Sequence, residues 1–346
     1  MTAVALTPSG PFSLAASMRF LEGFTPANYQ GTADWVLRLA FPADDGHSTV
    51  AVAVRQEETA EGAAGRVRAE FTTYPDESGG SGEADGSGSG EIGRPDGPGP
   101  GPGEAVRAQL ARILSLDVDG SGFPELAADP VVAGLMADYP GLRPVCFHSP
   151  YEAAAWAIIG HRIRMTQAAA IKARLAERHG RRVQVEGRIL YAFPTPPALL
   201  AITRAPGLTE VKVERLHALA EAADAGELDA ARLRSMPVDD ALAALRDLPG
   251  IGPFSAELIL IRGAGHPDVF PRHEPRLHAA MAEAYDLDET ASGDIRRLAG
   301  IADRWRPYRS WVALLLRARA AEIGRHPSSP RRRAGPPPVR GPALHR

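Results

Sequence analysis

Leu248-Pro249-Gly250-Ile251-Gly252 lies between two helical patterns, and a lone acid, Glu274, follows the downstream run Asp268-Val269-Phe270-Pro271. Glycines on either side of Ile251 permit positive φ and expose backbone amides. The next helix starts at Pro253, so its unsatisfied N–H groups point back at the turn. Gly250, Ile251, Gly252 and the Ser255 hydroxyl together make a site for a phosphate, held without regard to base sequence. Leu248 and Ile251 are expected to anchor the turn in a core. A ligand-free turn between antiparallel helices carries the same glycine spacing, so the turn alone leaves both readings open. Beside a held phosphate ester, the Glu274 carboxylate could act on the group held there. In the first turn of a helix it could equally serve only the helix dipole.

Charge places any anionic partner on one part of the chain. Of 346 residues, 44% are apolar and 23% charged, as in a globular protein, and the net charge is −3. Residues 1–140 hold 20 acidic and 8 basic side chains, net −12, whereas residues 141–346 hold 22 and 31, net +9. Positive charge is what a phosphate backbone requires. Lys172 and Lys212 are the only lysines, so the excess is arginine. Cys146 is the only cysteine, which excludes an internal disulfide, a four-cysteine iron–sulfur cluster and a cysteine-rich zinc site. His266, His273 and His278 have no metal-ligand spacing, and no run approaches a membrane span. The N-terminus lacks the basic region of a secretory signal.

Elements that position the turn follow from periodicity. Residues 1–76 read as mostly strand, around Trp35–Phe41, Val50–Val54 and Val67–Phe71, with Gly and Asp clusters between. Residues 77–103 are Gly, Ser, Pro and acidic, an expected disordered insert. Helical patterns resume at Ala105–Leu116 and Asp129–Asp138, so residues 1–140 are expected to form a small α+β domain with an antiparallel sheet. From residue 141 to 325 the pattern is all-helical. Ser149-Pro150-Tyr151-Glu152 reads as a capping box with proline at the first helical position. Further helices are expected at Gln167–Arg178, Pro196–Ile202, from Thr209, and at Pro237–Leu248, Pro253–Arg262, Glu274–Tyr285 and Ile301–Ala320. Residues 326–346, rich in Arg and Pro, are expected to be a disordered tail.

The segment Leu248–Glu257 resembles the helix-hairpin-helix signature of base-excision DNA glycosylases. Arg262-Gly263 followed by Asp268-Val269-Phe270-Pro271 is similar to the alkylpurine branch, DNA-3-methyladenine glycosylase II. Tyr151–Gly160, Gly207–Lys212 and Ala302–Trp311 resemble the first, middle and last large helices of that catalytic domain. The resemblance covers roughly residues 141–322 and implies an α+β domain followed by an all-α glycosylase domain. In the bifunctional enzymes of the superfamily a lysine stands two residues after the second hairpin glycine. Phe254 holds that place here, which disfavours a Schiff-base lyase. The family's catalytic aspartate corresponds to Glu274, one methylene longer. The family's base-gripping aromatics correspond to Phe254, Leu258 and Arg317, with Tyr151 a further candidate for the pocket. Phe254 could also be simple core. The wedge that fills the gap left by a flipped base falls near Arg162, which could intercalate or hold phosphate. Arg272 and Arg276 flank the carboxylate and could touch DNA or face solvent.

The resemblance implies a monofunctional enzyme of base excision repair that flips an alkylated base out of duplex DNA and hydrolyses its N-glycosidic bond. Neither a metal nor an organic cofactor is expected. The chain is expected to be a monomer, cytoplasmic and nucleoid-associated. The alternative is a catalytically impaired helix-hairpin-helix protein that binds DNA as a lesion sensor or regulator.

Overall fold

Val50-Ala51-Val52-Ala53-Val54 alternates large and small apolar residues, and every one of them is buried. A strand buried on both faces must be covered twice, and this one is. The computed structural model describes residues 2–27, 29, 34–57, 65–76, 101–288 and 290–325. Strands β1 (Thr2–Leu6), β2 (Leu37–Pro42), β3 (Ser48–Gln56) and β4 (Val67–Pro75) form an antiparallel sheet in the order β1-β4-β3-β2. Val50, Val52 and Val54 pack with Leu14, Met18 and Leu21 of α1 (Leu14–Gly23) and with Val106, Leu110 and Ile113 of α2 (Pro102–Ile113). Ala51 and Ala53 face the other way, against Val183 and Val185. Small residues there let a second layer approach closely.

That second layer is a hairpin, β5 (Arg182–Val185) and β6 (Arg188–Tyr191), inserted between helices α5 (Met165–His179) and α6 (Pro196–Leu200). The helical part of the chain therefore carries a two-stranded ribbon that its sequence pattern does not show. Helix α1, with its N-terminus capped by Ser13, likewise replaces expected strand. The expected helix at 301–320 is divided. Helix α12 (Ile295–Ala302) ends before a short turn, and α13 (Arg309–Arg325) starts after Pro307. Most of the insert read at 77–103 and all of the tail at 326–346 lie outside the described residues.

The remaining helices are α3 (Pro130–Asp138), α4 (Pro150–Gly160), α7 (Glu210–Asp224), α8 (Ala230–Ser235), α9 (Val238–Asp247), α10 (Pro253–Leu258) and α11 (Pro275–Ala284). Helix α4 is the axis of one core, its Ala153, Ala154, Ala155, Ile158 and Ile159 packing with Leu216, Leu219, Leu245, Ile251 and Ile259. A second core gathers Val132 and Leu135 of α3 with Leu277, Met281, Leu298, Trp305, Trp311 and Leu315. By packing, α3 thus belongs with the last helices rather than with the sheet.

Ser149 caps α4 as expected, accepting from the Glu152 N–H at 3.1 Å. The Glu152 side chain does not close a capping box. It turns into the protein, where it meets His148 Nδ1 at 2.7 Å and Lys172 Nζ at 2.5 Å, only 2% exposed. Burial alone would raise its pKa, but His148 and Lys172 outweigh burial and hold the carboxyl far below its ordinary value. Lys172 also donates to the Pro26 carbonyl, so the pair ties α5 to the sheet domain. Replacing Lys172 by Met should cost about 3–5 kcal/mol near neutral pH, because it strands a buried carboxylate. A carboxyl depressed in the fold contributes stability above its unfolded pKa and loses it as pH falls towards the folded value. The gap between wild type and variant should therefore narrow below about pH 4 in denaturant melts. A gap independent of pH would remove the ion pair as its cause.

Candidate active site

Helices α9 and α10 flank the turn Leu248–Gly252. Leu248 and Ile251 are buried at 8% and 5%, the anchoring their apolar side chains require. Gly250 has φ +89°, and a methyl group there would come within 2.7 Å of Arg215 Cδ. The Ile251 N–H donates to the Leu248 carbonyl at 3.1 Å, so that amide closes the turn rather than facing a ligand. Gly252 is exposed and precedes α10, whose first residue, Pro253, has no N–H. The amides of Gly252, Phe254 and Ser255 are left as the leading donors. Gly250→Ala should cost about 1–2 kcal/mol of stability from the left-handed backbone alone. It should also weaken duplex affinity about tenfold at fixed salt by deforming the turn expected to hold a phosphate. Fluorescence anisotropy with a labelled duplex measures this, and an unchanged Kd would remove the turn from the interface.

Basic side chains that the motif does not include gather around the turn. Arg215 of α7 lies over Gly250. One helical turn earlier, Lys212 donates to the carbonyls of Ile159 and His161 at 2.7 and 2.9 Å, closing the C-terminus of α4. Burial, then Arg215, lowers its pKa. Arg162 follows in the same loop, exposed, with φ +57°. The turn and the loop at Arg162 are thus held by one helix, α7.

After α10 the backbone widens into a π-helical turn, Ile259–Gly263, with the Ala264 N–H reaching the Ile259 carbonyl at 2.8 Å. Gly263 is required there, since a methyl group would meet Pro150 Cα at 2.8 Å. The chain then runs through Asp268-Val269-Phe270-Pro271. Asp268 pairs with Arg309 Nε at 2.7 Å and with Arg306 at 3.3 Å, while the Val269 N–H donates to Ser310 Oγ at 3.0 Å. These contacts strap the segment to the start of α13. Two turns further along that helix, Arg317 Nε donates to Glu274 Oε1 at 2.8 Å.

Glu274 sits at the N-cap of α11, three-quarters buried, and its side chain does not cap the helix. The loop before it is held from the hairpin side. Glu257 of α10, 4% exposed, accepts the Arg272 N–H at 3.0 Å on Oε1 and the His273 N–H at 3.0 Å on Oε2. His273 Nδ1 adds a third bond to Oε1 at 2.7 Å. His273 is thus engaged rather than a free surface group, and Glu257 is a residue that motif reading passes over. The Arg272 side chain is exposed beside this loop, and Arg276 one turn later is exposed too. Arg262, part-buried in the π turn, stacks its guanidinium over Phe24 at 4.6 Å and Phe20 at 5.2 Å. Burial lowers its pKa, while Cys146 and Glu274 oppose that shift. Its Nε has no hydrogen-bond partner among the described residues.

Of the residues expected around a base, Phe254 is 46% exposed on the first turn of α10, not core. Leu258 is half-buried against the α4 core. Tyr151, expected at the pocket, is core instead. It is 5% exposed, packs on Phe193 at 5.8 Å, and its hydroxyl donates to the Pro194 carbonyl at 3.1 Å. A tyrosine at the second position of a largely buried helix becomes core. Among the described residues no cluster of His, Cys, Asp or Glu could hold a metal ion, and no helix is long and apolar enough to cross a membrane.

No family model matches the chain. Similar proteins do. A DNA-3-methyladenine glycosylase of Bacillus subtilis is 26% identical over 206 residues, covering 58% of this chain and 67% of that one. DNA-3-methyladenine glycosylase 2 of Escherichia coli is 28% identical over 298 residues, covering 83% and 94%. The solved 3-methyladenine DNA-glycosylase of Archaeoglobus fulgidus shares the fold with a TM-score of 0.67 at 22% identity, covering 95% and 99%. With the hairpin and the sheet domain in place, the chain is similar in sequence to DNA-3-methyladenine glycosylases and in fold to a solved one.

Proposed function

We propose that the protein is a monofunctional DNA glycosylase of base excision repair. It binds duplex DNA, flips out an alkylated base and hydrolyses its N-glycosidic bond. The observation that carries this reading is the junction of hairpin and acid: Glu257, five residues beyond the hairpin, holds the backbone that presents Glu274. A phosphate on the hairpin amides would place the neighbouring sugar within reach of that loop. Glu274 then orients water at C1′ and offsets the oxocarbenium charge. Phe254, with no lysine in its place, leaves no amine on the hairpin helix to attack the sugar. Gly250, Gly252, Ser255, Arg162 and Arg272 supply the grip on the backbone. The protein acts as a cytoplasmic monomer at the nucleoid and needs no cofactor.

Incubation with methylated duplex DNA tests this. Released base, together with abasic sites that break only on alkali treatment, is the expected result. One observation favours a second reading, a DNA-binding lesion sensor without chemistry: Arg317 already neutralises Glu274. Tight binding to damaged duplex with no release of any base would establish that reading in place of the first.

A further inference from the structure

Glu274 is a single acid with a guanidinium on it. Arg317 donates to Oε1, and both side chains keep about a quarter of their surface open (28% and 25%). Arg262 lies close enough for Glu274 to raise its pKa, against the lowering by burial. Arg317 is the guanidinium in contact with this carboxylate. The aromatic faces that could have surrounded a flipped base are reduced to the exposed ring of Phe254.

Charge decides what such a site accepts. A purine alkylated on a ring nitrogen carries a positive charge in DNA and departs as a neutral molecule. It gains nothing from a hydrogen-bond donor on the leaving base, and a neighbouring guanidinium repels it in the ground state. An uncharged lesion base departs with the electron pair of the C1′–N bond and develops negative charge on the ring. A fixed donor aimed at that charge accelerates its departure, typically by about a hundredfold or more.

We propose that Arg317 sets the charge class of the substrate, favouring uncharged lesion bases with a ring carbonyl over cationic N-alkylated bases. Cationic bases remain slow substrates. The proposal rests on the glycosylase reading of Glu274. In the reaction the C1′–N bond breaks with its electron pair leaving on the base. Arg317 keeps its Nε–H on Glu274, which fixes the guanidinium, and its terminal N–H groups meet the charge on the base carbonyl. Water adds its oxygen to C1′, gives one proton to Glu274, and Glu274 passes it to the base nitrogen. The products are a neutral base and an abasic sugar, and both side chains return to their starting state.

The test uses the full chain with two duplexes of identical sequence, one carrying hypoxanthine, uncharged with a ring carbonyl, and one carrying cationic 7-methylguanine. Released base is measured under single-turnover conditions for wild type, R317K and R317M. Wild type is expected to show a ratio of hypoxanthine to 7-methylguanine release at least about tenfold above that of R317M. R317K, which keeps the charge, stays nearer wild type, and it carries the comparison should R317M fail to fold by circular dichroism. A ratio that is the same within about twofold for wild type and the folded variants, or one that rises in R317M, overturns the proposal and leaves the glycosylase reading standing. No release of either base by any of the three proteins, with duplex binding intact, overturns that reading and this proposal together.

Discussion

Glu274→Gln should lower single-turnover base release by about a hundredfold or more while changing duplex affinity by less than about threefold. Gln keeps the size of the side chain and the acceptor for Arg317, and removes only the charge and the basic oxygen. On the proposed mechanism both are needed late in the reaction, when C1′ carries positive charge and water must lose a proton. The expected loss is therefore in rate and not in binding. Glu274→Asp separates charge from reach. It keeps the carboxylate but draws it back one methylene, out of the 2.8 Å contact with Arg317. A displacement on the order of 1 Å can cost about a hundredfold where the geometry is tuned. If the longer acid is the working one, Asp is slower than Glu yet faster than Gln. A Gln variant as fast as wild type would move the chemistry to another residue. An Asp variant that releases base while wild type releases none would show that the native carboxylate is held inactive.

What could be read along the chain was what neighbours decide. The hairpin needs only a few residues with defined φ, and Gly250 at +89° is where its motif requires glycine. Helix starts at Asp129, Ser149 and Thr209 were legible because a cap is a local bond, and each accepts the expected amide. Helix α1 does have a local signal. Leu14, Met18 and Leu21 follow a helical spacing behind a Ser cap, inside a region whose other segments alternate. The β5–β6 ribbon was not legible. Four-residue strands hold too few side chains to show a period, and what makes these two ordered is Ala51 and Ala53 on a strand more than a hundred positions earlier. The same limit governs the site. Glu274 and Arg317 could each be placed by resemblance, yet their contact spans 43 residues and appears only once Asp268 has strapped the loop to α13. Tyr151 failed for the reverse reason. Aromatic character says nothing about which side of a largely buried helix a residue faces.

Glu257→Ala should produce the second-largest loss of activity, about a hundredfold, through a residue that touches neither DNA nor sugar. Its carboxylate receives the N–H groups of Arg272 and His273 and the His273 ring, and those two residues immediately precede Glu274. Removing it leaves backbone donors in a pocket from which Glu257 excluded water, at about 1–3 kcal/mol for each one not met by solvent. The loop must then find other partners, and Glu274 moves with it. The hairpin itself is held by Leu248 and Ile251 in the core, so the grip on DNA should change by less than about threefold. Glu257→Gln is the sharper variant. It preserves volume and one acceptor but points an amide N–H at a backbone N–H, so its rate should fall between wild type and Ala. Single-turnover release, duplex affinity and a denaturant melt on the same samples distinguish positioning from general destabilisation. Rate lost with affinity and cooperative unfolding retained identifies Glu257 as the link from the DNA grip to the acid. Rate and affinity falling in parallel, or a Gln variant as fast as wild type, would show that the loop holds its place without it.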